Sequence, residues 1–423
     1  MTTRGQQNGT VFYGWWVVLA AGIGLAMHFG PIVVATFGVF LKPLSQEFGW
    51  SRAQISLAFS LSTLALTVAV PLIGRLVDRL GARKVILPAV LLFGLALMSL
   101  YFLTASLWHF YTIALLIAVT GGGTTPVSYS KVISCWFDQK RGLALGLAMA
   151  GSGLGAFIMA PLAQVLITTV GWRQTYVLLG LLAIGVTVPV VGLFLKETPQ
   201  MMGLLPDGEM VAQAGVTKQS GQESGMSSHE AWHTGTFWLM LCAFFLLSVS
   251  FHGYIVHLVP LLTDRGVSAQ SAALVVSLGA VGAVLGRVAV GYLLDRFFAP
   301  YVAIGFFCGF ALGIFLLWSG AVGGLVFVAA VLVGLGLGAE FDLMAYMVSR
   351  YFGLRAFGEI YSYAFAAFTL GAVIGPLLMG VSFDSTGSYS PVLGGFVVAT
   401  LMAAGLMTQL GPYQVWEATA EAA

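Results

Sequence analysis

Few charged side chains lie inside the long apolar stretches of this 423-residue sequence, so each needs a physical reason. Arg287 lies eight residues before Asp295, about 12 Å from the end of its segment if that segment is helical. Glu340, with Asp342 close by, lies ten residues before Arg350 and therefore about 15 Å deep. A guanidinium keeps its proton, and its planar fork matches a carboxylate. Arg287 therefore indicates a receptor for an anionic group.

The two acidic residues leave alternatives open. Either Glu340 or Asp342 could pair with Arg287 while the site is empty, and a substrate would then displace it. The same pair could instead be a structural ion pair inside a helix bundle. Because the two acids are separated by one residue, they point to different faces of a helix.

Two histidines are candidate proton carriers together with these acids. His252 and His257 lie in the apolar stretch that ends near Asp264. Histidine titrates near physiological pH, so either residue could carry a coupling proton or donate a hydrogen bond to a substrate. The simpler alternative is a histidine satisfied within the core. Glu340 and Asp342 are equally eligible as proton carriers.

The first part of the chain offers hydroxyl groups instead of charges. Thr124 and Ser128 are four positions apart, so in a continuous helix they share one face and could contact a substrate. Small polar residues also serve helix packing. His28 is expected to be a core histidine. Lys131, near the end of its apolar stretch, is expected to extend its ammonium to the membrane interface.

The composition excludes most classes of soluble protein. Hydrophobic residues make up 59% of the chain and charged residues only 8%, whereas soluble proteins carry about 25% charged residues. A net charge of +2 does not indicate a nucleic-acid partner. We find no nucleophile–base set, no spacing typical of a metal site, and no cofactor motif, so an enzyme is not expected.

Apolar segments, bounded by glycine, proline and charge, indicate helices that cross a membrane. Twelve segments reach the roughly 20 residues needed to cross about 30 Å of hydrocarbon. The sequence therefore predicts an all-α membrane protein of twelve transmembrane helices in two pseudo-symmetric six-helix bundles. The predicted divisions are an N-terminal tail (1–13), a first bundle (14–195), a polar linker (196–235), a second bundle (236–411) and a C-terminal tail (412–423).

An internal repeat supports this division. The run Gly74–Arg79 recurs as Gly291–Arg296, 217 positions later, and three glycines recur at a shift of 216: Gly142, Gly155 and Gly171 match Gly358, Gly371 and Gly387. The chain is therefore read as a duplicated six-helix unit. Lysine and arginine favour one side of the predicted bundle by twelve to four, which predicts that both termini and the linker are cytoplasmic.

The loop that begins at Gly74 carries a family resemblance. Gly74-Arg75-Leu76-Val77-Asp78-Arg79-Leu80-Gly81-Ala82-Arg83-Lys84, between the second and third segments, resembles the signature loop of the major facilitator superfamily, and Gly291–Arg296 resembles its weaker second copy. The resemblance implies that superfamily's fold. We expect Asp78, Arg79 and Arg83 to form a charge network between helices that stabilises one conformation. The expected conformational gate comprises Gly74, Asp78, Arg79, Arg83, Gly291, Asp295 and Arg296.

Shorter motifs resemble a narrower branch. Tyr13-Gly14-Trp15-Trp16, Phe48-Gly49-Trp50-Ser51-Arg52 and Gly286-Arg287 are similar to motifs of the monocarboxylate transporters and their oxalate/formate-antiporter relatives. The resemblance implies that Arg287 binds the substrate carboxylate and that His257 lines the pocket.

The chain departs from that branch at three places tied to coupling and substrate size. Ala283 stands where the animal monocarboxylate transporters carry an acidic residue, and the interior of the first segment has no lysine. The eleventh segment, at Tyr361–Phe368, lacks the second cation of the oxalate exchanger. A lone cation favours a substrate with one carboxylate over one with two.

These observations predict a multi-pass secondary transporter of the plasma membrane, or of the inner membrane in a bacterium. The expected cargo is a small monocarboxylate, such as lactate or pyruvate, moved with a proton by alternating access. The expected partners are this anion, the proton and membrane lipid, and the sequence does not indicate an accessory subunit. An organic-anion exchanger of the oxalate/formate type is the alternative, followed by a non-transporting membrane receptor. A drug exporter ranks last, because the first six segments lack a mid-membrane carboxylate.

Overall fold

The computed structural model describes residues 12–208 and 224–414. The chain is 84% helical, and no strand is formed within the described residues. Twelve spans in these residues are long and apolar enough to cross a membrane. The predicted fold class, a twelve-helix membrane protein, is therefore confirmed.

The first half of the chain (12–208) contains eight α-helices. They are α1 Gly14–Ala26, α2 Phe37–Phe48, α3 Arg52–Leu80, α4 Ala82–Ser99, α5 Leu107–Gly121, α6 Pro126–Trp136, α7 Arg141–Val170 and α8 Trp172–Phe194.

The second half (224–414) contains seven. They are α9 Ser228–Trp232, α10 Gly235–Asp264, α11 Ala269–Leu294, α12 Ala299–Trp318, α13 Gly324–Phe352, α14 Phe357–Thr386 and α15 Ser390–Met407.

Two membrane spans of the first half are interrupted. The first span passes from α1 through a π-helical turn at Gly30–Val34 before α2 begins. The fourth passes from α5 through a 3₁₀ turn at Gly122–Thr124 to α6. There Thr125 is extended, with ψ 166°, because Pro126 lacks a backbone N–H and disfavours helical geometry in the preceding residue.

This interruption corrects one prediction. Thr124 and Ser128 do not share the face of a continuous α-helix, since the extended residue Thr125 lies between them. The run Gly121-Gly122-Gly123 before the proline is the local signal for the break.

One glycine makes the sharp turn of the signature loop possible. Helix α3 ends at Leu80 and α4 begins at Ala82, so Gly81 alone connects them. Gly81 has φ 91°, a left-handed conformation that side chains disfavour.

The two halves meet along two helix pairs, which we call joints. The first joint is α3 against α14, and the second is α7 against α11. We call the side where α3 ends and α4 begins the linker side, and the opposite side the far side. Within the described residues, the hydrogen bonds and ion pairs that join the halves lie toward the linker side, and the deepest one joins Thr67 to Thr369. The molecule is therefore closed on the linker side.

Candidate functional site

Arg287 lies where three helices cross. A Cβ atom on Gly146 of α7 would come within 2.7 Å of the Arg287 carbonyl oxygen, and one on Gly338 of α13 within 2.8 Å of its backbone nitrogen. These glycines let α7 and α13 pack directly against α11 at this residue. Arg287 is only 8% exposed, and its Nη1 atom has no hydrogen-bond partner among the described residues.

Two carboxyl groups lie in the same buried layer. Glu340 and Asp342, on α13, are 3% and 0% exposed, and both are electrostatic neighbours of Arg287. Oε2 of Glu340 and both carboxyl oxygens of Asp342 have no hydrogen-bond partner within the described chain. Both acids therefore lie close enough to the same cation to interact with it electrostatically.

The closed structural ion pair considered from the sequence is not formed. Within residues 12–208 and 224–414, none of the ion pairs shorter than 4.0 Å involves Arg287. Burying a guanidinium is costly unless it is paired or contacts a polar group. Within the described residues, Arg287 Nη1, Glu340 Oε2 and both carboxyl oxygens of Asp342 are therefore free to bind something else.

Three further side chains complete the layer and were not predicted from the sequence as site residues. Tyr361 of α14 is fully buried and neighbours Arg287, Asp342 and the hydroxyl of Ser130. Ser130 comes from α6 of the first half. His28, expected to be a core histidine, is an electrostatic neighbour of Arg287, and its Nδ1 bonds to the Leu25 carbonyl at 2.6 Å. Both halves thus contribute to the layer.

The two predicted hydroxyls have different surroundings. Thr124 donates to the Gly121 carbonyl at 2.6 Å and accepts from the Phe29 backbone nitrogen at 3.3 Å. The Thr124 hydroxyl thus links the first and fourth spans by a hydrogen bond at the points where their helices are interrupted. Ser128 is fully buried, and its Oγ has no hydrogen-bond partner among the described residues. Ser128 is therefore the freer of the two.

The histidines of α10 lie apart from each other. Nδ1 of His252 is 3.0 Å from the Ser248 carbonyl oxygen and 3.1 Å from Ser248 Oγ, and its ring contacts Phe251 and Phe368. His257 is half-buried and packs against Tyr389, with ring centroids 5.4 Å apart, toward the far end of α10. Their predicted roles in proton coupling and substrate binding stay predictions.

Asp78 connects the halves at the first joint. Its carboxylate accepts hydrogen bonds from the backbone nitrogens of Gly358 and Glu359 at 2.9 and 2.8 Å, at the start of α14. A helix N-terminus presents free N–H groups and partial positive charge, so an aspartate there is stabilising. Gly74 allows the close approach, since a Cβ on it would lie 2.2 Å from the Gly358 carbonyl oxygen.

The cation paired with Asp78 is Lys131, rather than Arg79 or Arg83. The Lys131 ammonium lies 2.9 Å from Asp78 Oδ1, and both side chains are about nine-tenths buried. The expectation that Lys131 reaches the membrane interface is therefore wrong, because α6 directs its side chain toward α3. Arg79 is exposed, and Arg83 bonds to the Gly192 carbonyl within the first half.

The second joint repeats the arrangement. Asp295 accepts hydrogen bonds from the backbone nitrogens of Gly142 and Leu143 at 2.7 and 3.0 Å, at the start of α7. Gly291 packs against Gly142 with no room for a Cβ. Partial burial raises the pKa of Asp295, against the opposing effect of these two hydrogen bonds. Arg296 is exposed and lies over the Tyr292 ring, 3.5 Å from its centroid.

Further bonds between the halves involve residues outside the predicted gate. Arg350 reaches Asp138 at 2.7 Å, and Arg141 donates to Ser349 Oγ at 3.0 Å. Arg75 lies 2.5 Å from Glu359. In the sequence, these residues are distinguished only by their position near the ends of spans. That position does not show which residue bonds to which.

The chain matches the model of one large protein family. The description of that family is Major Facilitator Superfamily, and the match covers residues 20–376. The chain belongs to this superfamily.

Similar proteins within the superfamily carry transporter names. The mouse monocarboxylate transporter 11 is 28% identical over 388 residues, covering 89% of this chain and 83% of that protein. The rat monocarboxylate transporter 13 is 28% identical over 404 residues, covering 92% and 87%. The resemblance to monocarboxylate transporters stated from the motifs is therefore confirmed.

Solved structures agree on the fold. The proton:xylose symporter XylE superposes with a TM-score of 0.74 at 14% identity, covering 95% of this chain and 96% of that one. The fucose:proton symporter FucP of E. coli superposes with a TM-score of 0.68 at 16% identity, covering 94% and 98%. The chain therefore has the fold of major facilitator transporters.

Proposed function

We propose that this protein is a secondary transporter that moves a small monocarboxylate together with a proton by alternating access. The observation that carries the proposal is the buried Arg287 guanidinium, whose Nη1 has no assigned partner in the described chain, at the crossing of α7, α11 and α13. A guanidinium in low dielectric binds a carboxylate through two parallel hydrogen bonds. The names of the similar transporters support the same class of cargo.

The position of Arg287 supports a transport role for it. Arg287 belongs to the second half, and its backbone packs on α7 of the first half through Gly146. An anion bound at Arg287 therefore lies beside a contact that has to change when the halves rock. The equivalent position of the first half, at a shift of 217, is Val70, so the cation is not part of the repeated scaffold.

A coupled proton gives the transfer an economical charge balance. Moving one negative charge against 100 mV costs about 2.3 kcal/mol, and a proton moved with it removes this cost. His252, His257, Glu340 and Asp342 are the titratable candidates for holding this proton. Hydroxyls of Ser128 and Thr124 are proposed to line the substrate path from the first half.

The proposed setting is the plasma membrane, or the inner membrane in a bacterium, with the linker side in the cytoplasm. The excess of lysine and arginine on that side supports this orientation. With the linker side closed, the site is then reached from outside. The domain boundaries proposed from the sequence place the linker at residues 196–235.

Uptake by proteoliposomes tests the proposal. Labelled lactate, pyruvate, formate and acetate are supplied with and without an inward proton gradient. We expect accumulation of at least one acid, stimulated by the gradient. Exchange that needs internal substrate but no gradient would favour the anion-exchanger alternative, and binding without flux would favour the receptor.

The matched variants are Arg287→Ala and Val70→Ala, at equivalent positions of the two halves. Removing one partner of a buried charged contact costs about 2–5 kcal/mol, so Arg287→Ala should reduce uptake roughly 30-fold or more. Val70→Ala, which only removes buried apolar atoms, should retain most of the uptake. Normal transport by folded Arg287→Ala protein would refute the proposed site.

A further inference from the structure

The buried layer around Arg287 contains more carboxyl groups than cations. Arg287 of α11 has Glu340 and Asp342 of α13 as electrostatic neighbours, and the other titratable neighbours of these groups are Tyr361 of α14 and His28. Ser130 of α6 supplies a neutral hydroxyl. With both carboxyl groups ionised, the three charged side chains would sum to one net negative charge.

An unbalanced charge is costly in this layer because it lies out of water in the interior of a membrane protein. The empty site is neutral when one of the two carboxyl groups carries a proton and the other balances Arg287. The fully buried, unpartnered oxygens of Asp342 and Oε2 of Glu340 are the atoms available to receive that proton.

Binding of a monocarboxylate shifts this balance by one unit. The substrate carboxylate pairs with Arg287 and takes the place of the ionised side chain. The layer would then have a net charge of minus one. It returns to neutrality when the released carboxylate gains a proton from the side on which the anion entered, forming an O–H bond. The proton and the anion leave together on the other side, and the carboxylate again balances Arg287.

We propose that Glu340 and Asp342 together form the proton-coupling group, with one negative charge in the empty carrier and none in the loaded carrier. This inference rests on the proposed monocarboxylate transport. It selects the α13 acids over His252 and His257, the histidines of α10, because the acids are electrostatic neighbours of the proposed substrate-binding cation. Nδ1 of His252 is bonded to Ser248, and His257 packs against Tyr389.

The charge count makes single and double variants behave differently. In Asp342→Asn or Glu340→Gln, one carboxyl group remains opposite Arg287, so loading still requires a proton and coupling persists. In the double variant Glu340→Gln/Asp342→Asn, the loaded site is neutral without any proton. Its empty site retains the uncompensated guanidinium, so the carrier returns only when an anion is bound.

Proteoliposome transport of the four labelled acids distinguishes these cases. The wild type and each single variant should accumulate acid when a proton gradient is applied. The double variant should accumulate at least tenfold less acid than the wild type, and it should still exchange external acid for internal acid. Asp384→Asn, which removes an exposed acid of the same half near the end of α14, is the matched control and should keep the wild-type behaviour.

The outcomes separate the two proposals. If the wild type moves none of the acids, the proposed function fails. If the wild type accumulates them and the double variant does so too, only the assignment of the proton fails. A folded double variant that has lost exchange as well as accumulation also contradicts the assignment. In that variant Arg287 and the bound anion balance each other, so the loaded carrier should still move.

A second measurement applies if the double variant does not fold. Infrared difference spectra of the wild type, recorded on adding each of the four acids, should gain a protonated carboxyl C=O band. That band should shift in single variants and persist in His252→Gln. Proton uptake on substrate binding without a new carboxyl band would assign the proton to another group and overturn the inference.

Discussion

The fourth span of the first half and the tenth span of the second half differ at equivalent positions. At the shift of 216 that relates Gly142 to Gly358, Thr124 and Pro126 correspond to Glu340 and Asp342. The first half interrupts its helix there, whereas α13 runs without a break from Gly324 to Phe352. The duplicated unit has therefore diverged into an interrupted span without acidic residues and a continuous span that carries two buried acids.

The two joints show the same kind of divergence. In both, an aspartate of one half bonds to the N-terminus of a helix in the other half, next to a pair of glycines in close contact. In the first joint a buried ammonium is bonded directly to the aspartate, whereas Asp295 has Arg350 as an electrostatic neighbour. At the shift of 216, Lys131 corresponds to the fully buried Met347. The first joint thus has an additional electrostatic bond, and the second joint adjoins Arg287.

The largest expected difference compares Asp78→Asn with Asp295→Asn. Asp78→Asn removes the carboxylate opposite a buried ammonium, so it should lower the free energy of unfolding by about 3–5 kcal/mol. Asp295→Asn weakens hydrogen bonds to two backbone nitrogens, with no directly bonded ammonium to leave unpaired, and should cost about 1–2 kcal/mol. Thermal unfolding of the purified protein in detergent measures both. The double variant Asp78→Asn/Lys131→Met, which copies the second joint, should recover most of the loss, and equal losses in the two single variants would contradict the comparison.

The next prediction concerns the interrupted fourth span. Thr124→Val removes the acceptor of the Phe29 backbone N–H and the donor to Gly121, so it should destabilise the protein by about 1–3 kcal/mol. Ser128→Ala removes a hydroxyl without an assigned partner in the described chain and should change stability by less than about 0.5 kcal/mol. Unfolding curves and uptake rates of both variants are compared. A larger stability loss in Ser128→Ala would show that its hydroxyl has a structural partner.

A smaller effect is expected where the residues that follow the last long helix of each half contact the start of an earlier helix. Glu197 accepts hydrogen bonds from the backbone nitrogens of Ala82 and Arg83, and Tyr413, 216 positions later, accepts one from Ala299. Glu197→Gln should cost about 1–2 kcal/mol because a charged acceptor serves two N–H groups. Tyr413→Phe should cost about 1 kcal/mol. The same unfolding assay ranks them, and the reverse order would mean that charge adds nothing to this contact.

The smallest expected effect is pH-dependent and lies on the far side. Partial burial of Glu47 opposes the effect of its hydrogen bonds from Arg173 and Trp172, but the bonds prevail and lower its pKa. A lowered pKa in the folded state stabilises the protein above the ordinary value of 4.5, and this contribution is lost as the pH falls below it. Since both side chains are partly exposed, the contribution is below about 1 kcal/mol.

Unfolding at pH 7 and pH 4 measures this contribution. The difference between the wild type and Glu47→Gln should shrink at pH 4. In the second half, the equivalent Asp264 is an electrostatic neighbour of Tyr389 rather than of an arginine. A difference between the wild type and Glu47→Gln that does not shrink at pH 4 would remove the contribution assigned to the Glu47 bonds.

The sequence predicted much of the fold and part of the site. Hydropathy identifies spans because each must be apolar along its whole length, and the repeat relates the two halves. Arg287, Glu340 and Asp342 were identifiable because a charge deep in an apolar span needs a partner. Tyr361 and Ser130 were not, since a tyrosine or serine in a span is also compatible with ordinary helix packing.

The composition and spacing of residues alone therefore determined the number of helices, their duplication and the depth of the few charges. These depend on local sequence and on the thickness of the membrane. Only the tertiary structure decided that Lys131 pairs with Asp78, that Thr124 bonds to Phe29, and that both acids of α13 are electrostatic neighbours of Arg287. Such contacts depend on how helices far apart in sequence rotate and pack against each other, which hydropathy does not encode.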